Sequence, residues 1–135
     1  MPKYGFQRLV LALVLLLLTA CRQAIAPGST RISVDISKDG CQPLSWRVPA
    51  GQMITLKMTN QAAEDYTWTL MARPVTLPLD GDDVANIYFV HRVAPGQSET
   101  TKFNSPNAPG DYDVVCSPIP HTLEDLVGRI TVVRP

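Results

Sequence analysis

The chain has 135 residues, twelve basic and twelve acidic side chains, a formal net charge of +0 at pH 7 and 45% hydrophobic residues. That balance excludes a nucleic-acid footprint, which needs a basic stripe or patch. The length gives room for one domain with a real core and not for two.

The amino terminus reads as a targeting segment. Lys3 and Arg8 supply positive charge, Leu9 to Leu18 is an unbroken apolar run, and the small residues Thr19 and Ala20 lead into Cys21. The run is too short to span a bilayer as a helix, which needs about 20 apolar residues. Leu18-Thr19-Ala20-Cys21 resembles a bacterial lipobox. The resemblance implies cleavage before Cys21 once its thiol is diacylated, and a plain secretory signal with an incidental cysteine is the alternative. Two acyl chains anchor stably where one binds marginally. Residues 1–20 are therefore expected to be a lipoprotein signal peptide, 21–30 a lipidated tether and 31–135 the folded domain, held on the extracytoplasmic face of a bacterial cell envelope. Arg22, where retained Gram-negative lipoproteins carry Asp, points to an outer membrane if one exists. Taking away Lys3 and Arg8 leaves ten basic against twelve acidic side chains, close to neutral. Gln23 to Thr30 is small and polar, with Pro27-Gly28-Ser29, and suits a spacer.

From Arg31 onward alternation dominates. Ile32, Val34 and Ile36 fall on one face against Ser33, Asp35 and Ser37, the period of a half-buried strand. Leu44, Trp46 and Val48 repeat it, and Pro49-Ala50-Gly51 turns the chain. Ile54, Leu56 and Met58 alternate with Thr55, Lys57 and Thr59, and Tyr66, Trp68 and Leu70 form a fourth run. Residues 71–83, with Pro74, Pro78 and Asp80-Gly81-Asp82-Asp83, read as a long crossing loop. Its acidic stretch is a solvated turn rather than a calcium loop, because the remaining ligands of a hard-cation site are not evident. Ala85 to Val93 is apolar enough to be buried on both sides, and Ala94-Pro95-Gly96 turns it. Thr101 and Phe103, then Tyr112, Val114 and Cys116, then Ile130 and Val132 complete the set. Only Leu123 to Val127 offers a single helical turn. Seven to eight short strands punctuated by Pro and Gly give an all-β fold, an antiparallel sandwich or a Greek-key barrel.

Near the carboxyl end, Gly110-Asp111-Tyr112-Asp113-Val114-Val115-Cys116 is followed by Ser117-Pro118-Ile119-Pro120-His121. A thiolate and an imidazole on a proline-stiffened loop between apolar strands suit a soft metal such as copper. This passage, together with Cys41 to Gly51, Ile54 to Asn60 and Ala94-Pro95-Gly96-Gln97-Ser98, resembles the cupredoxin family, small copper-binding Greek-key β-sandwiches. The likeness covers almost the whole mature domain.

The resemblance implies a ligand set: an upstream histidine, then Cys, His and a weak axial Met on the last loop. Cys116 and His121 match the second and third. The upstream histidine position is Tyr66 and the loop methionine position is Leu126. A phenol is a poor ligand for copper(I) and an isobutyl group is none, so the type 1 site is incomplete. His91 lies where the family places no ligand and is expected to be packed or surface-bound. Met53, Met58 and Met71 are explained by core filling. Asp65 and Asp125 adjoin the expected positions, yet carboxylates suit harder metals.

With Cys21 acylated, two cysteines remain in an oxidising compartment. By the resemblance Cys41 lies beneath the metal loop, so three outcomes stand open. Cys41 and Cys116 form a disulfide that abolishes thiolate ligation, both are inert buried thiols, or Cys41, Cys116 and His121 make a sulfur-rich copper(I) site. The expected function is an envelope-anchored, non-catalytic structural or interaction module with no cofactor, a membrane attachment and an unidentified protein partner. Exposed Ile119, Leu123 and Leu126 would offer a docking patch. The alternative is a copper carrier or electron-transfer protein using Cys116 and His121, with copper as its cofactor. Catalysis by a Cys116–His121 dyad lacks a group to orient the imidazole and a pocket for substrate.

Overall fold

The computed structural model describes residues 26–77, 79–119 and 126–135. Its elements are β1 (Arg31–Ser37), β2 (Gly40–Gln42), β3 (Ser45–Pro49), β4 (Met53–Asn60), β5 (Tyr66–Met71), a short helix α1 (Gly81–Val84), β6 (Ile87–Val93), β7 (Ser98–Asn104), β8 (Gly110–Pro118) and β9 (Leu126–Val133). They form two sheets, one in the order β2-β1-β4-β7 and the other β3-β9-β8-β5-β6. The architecture is the expected all-β, cupredoxin-like sandwich, with nine strands among the described residues. It is not purely antiparallel, because β1 runs parallel to β4 and β3 parallel to β9. No helix among the described residues is long and apolar enough to cross a membrane.

Period-two alternation sets which side chains meet between the sheets. Ile32, Val34 and Ile36 of β1 and Ile54, Leu56 and Met58 of β4 face Trp68 and Leu70 of β5, Val114 of β8, and Ile130 and Val132 of β9. At the centre Trp68 makes edge contacts with Trp46 (centroids 5.7 Å apart) and Phe89 (6.3 Å), and packs at a tilt on Phe103 (5.7 Å). Such aromatic pairs add about 0.5–1.5 kcal/mol each beyond area burial.

Four local expectations are corrected. Ala85 to Val93 is not buried on both sides: β6 is an edge strand, and Ile87, Tyr88 and Val90 are exposed. The strand buried on both faces is β5, flanked by β6 and β8. Residues 71–83 are not all loop, and the acidic stretch is a capped helical turn. Asp80 accepts from the amides of Asp82 (2.9 Å) and Asp83 (3.3 Å), while Asp83 accepts from the Asp80 amide (3.1 Å). Met53 opens β4 on the outside, 54% exposed, whereas Met58 and Met71 are buried as expected. Leu126 and Val127 begin β9 rather than a helical turn, and residues 123–125 lie outside the described residues.

Residues 26–29 are held along β3. The Ser29 amide donates to the Arg47 carbonyl (2.8 Å) and Arg47 Nε to the Ala26 carbonyl (2.8 Å). Gly28 permits the approach, since a Cβ there would lie 2.4 Å from the Val48 carbonyl carbon.

Candidate functional site

Strand register assembles the site from four strands. Cys116 of β8 is paired with Trp68 of β5 on one side and with Leu126 of β9 on the other, and Trp68 is paired with His91 of β6. His91, Trp68, Cys116 and Leu126 therefore form one transverse row across the five-stranded sheet. Tyr66 stands in the next row, opposite Pro118 and Val93 and diagonal to Cys116.

Cys116 is 1% exposed and its sulfur is bonded to that of Cys41, which is fully buried in β2 of the opposite sheet. The Cα atoms are 6.4 Å apart, within the range a disulfide spans without moving the backbone. Of the three outcomes open for these cysteines, the structure has the bridge. It joins the edge strand of the four-stranded sheet to an inner strand of the five-stranded one, across a sequence separation of 75.

Tyr66 is buried, and burial raises its phenol above the ordinary range, with nearby Glu64 adding to the rise. A phenol so placed stays protonated near neutrality and is a poorer metal donor still. Asp65 is engaged elsewhere: its carboxylate accepts from Arg92 Nη2 at 2.7 Å, and that hydrogen bond holds it below the usual range despite partial desolvation. The Asp65 carbonyl accepts from the Ile119 amide (2.8 Å), which ties the chain before β5 to the end of β8.

His91 does not approach the sulfur of residue 116. Trp68 lies between them in the row, placing their strands about 10 Å apart. The imidazole turns instead to β7, with Nε2 3.0 Å from Glu99 Oε2, and the pair joins the open edges of the two sheets. The Trp68 indole N–H is fully buried and has no acceptor among the described residues. No group of three or more His, Cys, Asp or Glu side chains that could hold a metal occurs among the described residues. Cys21, His121, Leu123, Asp125 and the Leu126 side chain lie outside the described residues.

Sequence reasoning missed one positioning residue, Asn60. It closes β4 in the buried phase of the alternation, donates through Nδ2 to the carbonyls of Glu64 (2.8 Å) and Val93 (3.1 Å), and accepts from the Ala62 amide (2.9 Å). The available signal was a polar residue at a position, 54-56-58-60, that alternation assigns to the core.

Two packed sheets with this strand order, and a penultimate strand, β8, that delivers a cysteine between them, define a cupredoxin-type sandwich. The family model described as "Cupredoxin-like domain" matches residues 9–132, and the chain belongs to that family. Similar solved structures include a dithionite-reduced auracyanin from Roseiflexus castenholzii, 26% identical, covering 78% of this chain and 98% of that one with a TM-score of 0.61. Auracyanin B is 19% identical, over 80% of this chain and 91% of that one, with a TM-score of 0.62. Auracyanin A of Chloroflexus aurantiacus, described as a "blue" copper protein, is 21% identical over 76% and 99%, with a TM-score of 0.54. A comparison with curated proteins finds no match.

Proposed function

We propose that the chain is an envelope-anchored cupredoxin-like lipoprotein that acts as a non-catalytic structural or interaction module, with a cystine where its copper-binding relatives hold metal. The carrying observation is the Cys41–Cys116 bridge. A sulfur committed to a disulfide has no thiolate charge to give a metal, so the residues present do not fit a type 1 copper centre. Tyr66, buried and protonated, supports the same reading at the upstream ligand position. The carrier or electron-transfer alternative needs the Cys116 sulfur that the bridge occupies.

Attachment to the envelope through Cys21 is supported by the apolar run and the lipobox-like residues before it. A disulfide buried in the core accords with an oxidising compartment. Copper titration of the purified, processed protein under oxidising conditions tests the proposal. No intense thiolate-to-copper absorption is expected, and intact mass should show the two cysteines without their thiol hydrogens. A stoichiometric blue or red species would overturn it.

A further inference from the structure

We infer that the outer face of the four-stranded sheet is an anion-binding face that lies against the phosphate headgroups of an anionic membrane; this rests on the proposed anchoring at Cys21. The register places Arg31, Thr55 and Lys102 in one row across β1, β4 and β7, and Ser33, Lys57 and Thr100 in the next. Directly paired residues share a face, and their neighbours Ile32 and Leu56 point into the core. The six side chains line one shallow depression to which no carboxylate contributes.

None of the three cations has an ion-pair partner among the described residues. Lys57 stands diagonal to Arg31 and Lys102 on one side and to Asp35 on the other, so a single acid faces three cations and the face keeps a surplus of positive charge. The nearest acid on this face is Asp35, a row further along, paired with Thr59. Glu99 of β7 is held by His91. The opposite sheet treats its charges differently. There Arg129 Nη1 lies 3.7 Å from Asp111, Thr131 donates to Asp111 at 2.7 Å, and Asp113 accepts from the Val75 amide at 3.0 Å. In a mature chain with more acidic than basic side chains, an unpaired basic cluster on one face marks a ligand-facing surface.

Chain length keeps the domain near the surface that holds the lipid, and charge selects the face turned toward it. The polypeptide enters the four-stranded sheet through Arg31 itself, residues 26–29 are already fixed to β3, and the Thr30 carbonyl accepts from the Thr55 amide of β4 at 2.8 Å. A lipid on Cys21 therefore leaves residues 21–25 as spacer, which reach at most about 17 Å. The domain is confined close to the headgroups, where exposed cations are attracted within a screening distance of about 8 Å. Each basic residue near an anionic surface raises partitioning about fivefold. Thr55, Ser33 and Thr100 add hydroxyl donors between the cations, suited to phosphate oxygens.

Lysine footprinting on the native, processed protein tests this without substitutions. The protein is reconstituted into vesicles of phosphatidylcholine alone or with phosphatidylglycerol, pulsed with an amine-acylating reagent and read by peptide mass. Lys38, exposed in the turn after β1, is the internal reference. Lys57 and Lys102 should react about threefold or more slowly than Lys38 on the anionic vesicles, with the difference absent on phosphatidylcholine and abolished by high salt. Equal reactivity on both vesicles overturns the inference, as does shielding that persists on phosphatidylcholine, which would mark a protein contact instead. Intact mass reports the anchor separately. If it lacks a diacylglyceryl group, the same pulse is run with vesicles added to the unanchored protein. Selective, salt-sensitive shielding there still supports the face, and its absence overturns it.

Discussion

Reducing the Cys41–Cys116 bridge, or replacing both residues by alanine, should remove a large share of the domain's stability. For the separation of 75 residues, chain-entropy reasoning gives about 4.5 kcal/mol at 25 °C. Small domains are stable by about 5–15 kcal/mol in all, so the reduced protein should stand near the limit of folding. The comparison of oxidised with reduced wild type isolates the cross-link. The Cys41→Ala/Cys116→Ala variant adds the loss of two buried sulfurs and should be somewhat less stable than the reduced wild type. Urea unfolding followed by tryptophan fluorescence is the assay, since Trp46 and Trp68 both lie in the core. Two changes are expected together: a lower midpoint and a steeper denaturant dependence, because the unbridged unfolded chain exposes more surface. A midpoint unchanged on reduction, in protein whose mass confirms two free thiols, would refute the reasoning.

Asn60→Ala should cost about 2–3 kcal/mol by leaving buried backbone groups unpaired, and Asn60→Asp should not rescue it, since a carboxylate cannot donate to the Glu64 and Val93 carbonyls; urea midpoints of the two variants check both statements. Gly128→Ala brings a Cβ to 2.6 Å from the Leu44 carbonyl oxygen, which also accepts from the Arg129 amide, and overpacking of this kind costs about 1–3 kcal/mol by thermal or urea unfolding. Asp65 has a folded pKa below its unfolded value of 3.8, so its contribution is complete above that pH and is lost as pH falls through the folded value. Acid unfolding of Asp65→Asn should accordingly lack that part of the wild-type decline below about pH 4. On the proposed reading, Cys41→Ala combined with Tyr66→His and Leu126→Met should restore an intense thiolate-to-copper absorption that the wild type lacks; a colourless triple variant with a free Cys116 thiol would refute the ligand assignment.

The strand faces were legible because alternation reports burial directly: Ile32-Val34-Ile36 and Ile54-Leu56-Met58 are the inner faces of β1 and β4. Sheet order is not written in that period. Apolar Ala85 to Val93 therefore reads as a doubly buried strand while β6 occupies an edge, and Thr67 and Thr69 of β5 are buried by their neighbours on both sides. Three-residue β2 is too short to show any period, yet it carries Cys41 to Cys116. Cysteine count and compartment made the bridge one of three outcomes in the sequence, and only the placement of β2 against β8 decides among them. A metal that gathers ligands from distant strands contributes its binding free energy to folding. A cystine between two sheets also stabilises the fold, by constraining the unfolded chain. On the proposed reading, a sandwich closed in this way keeps its architecture without an ion, Tyr66 is tolerated where the resemblance implies a ligand, and the function is to be sought on the surfaces of the domain.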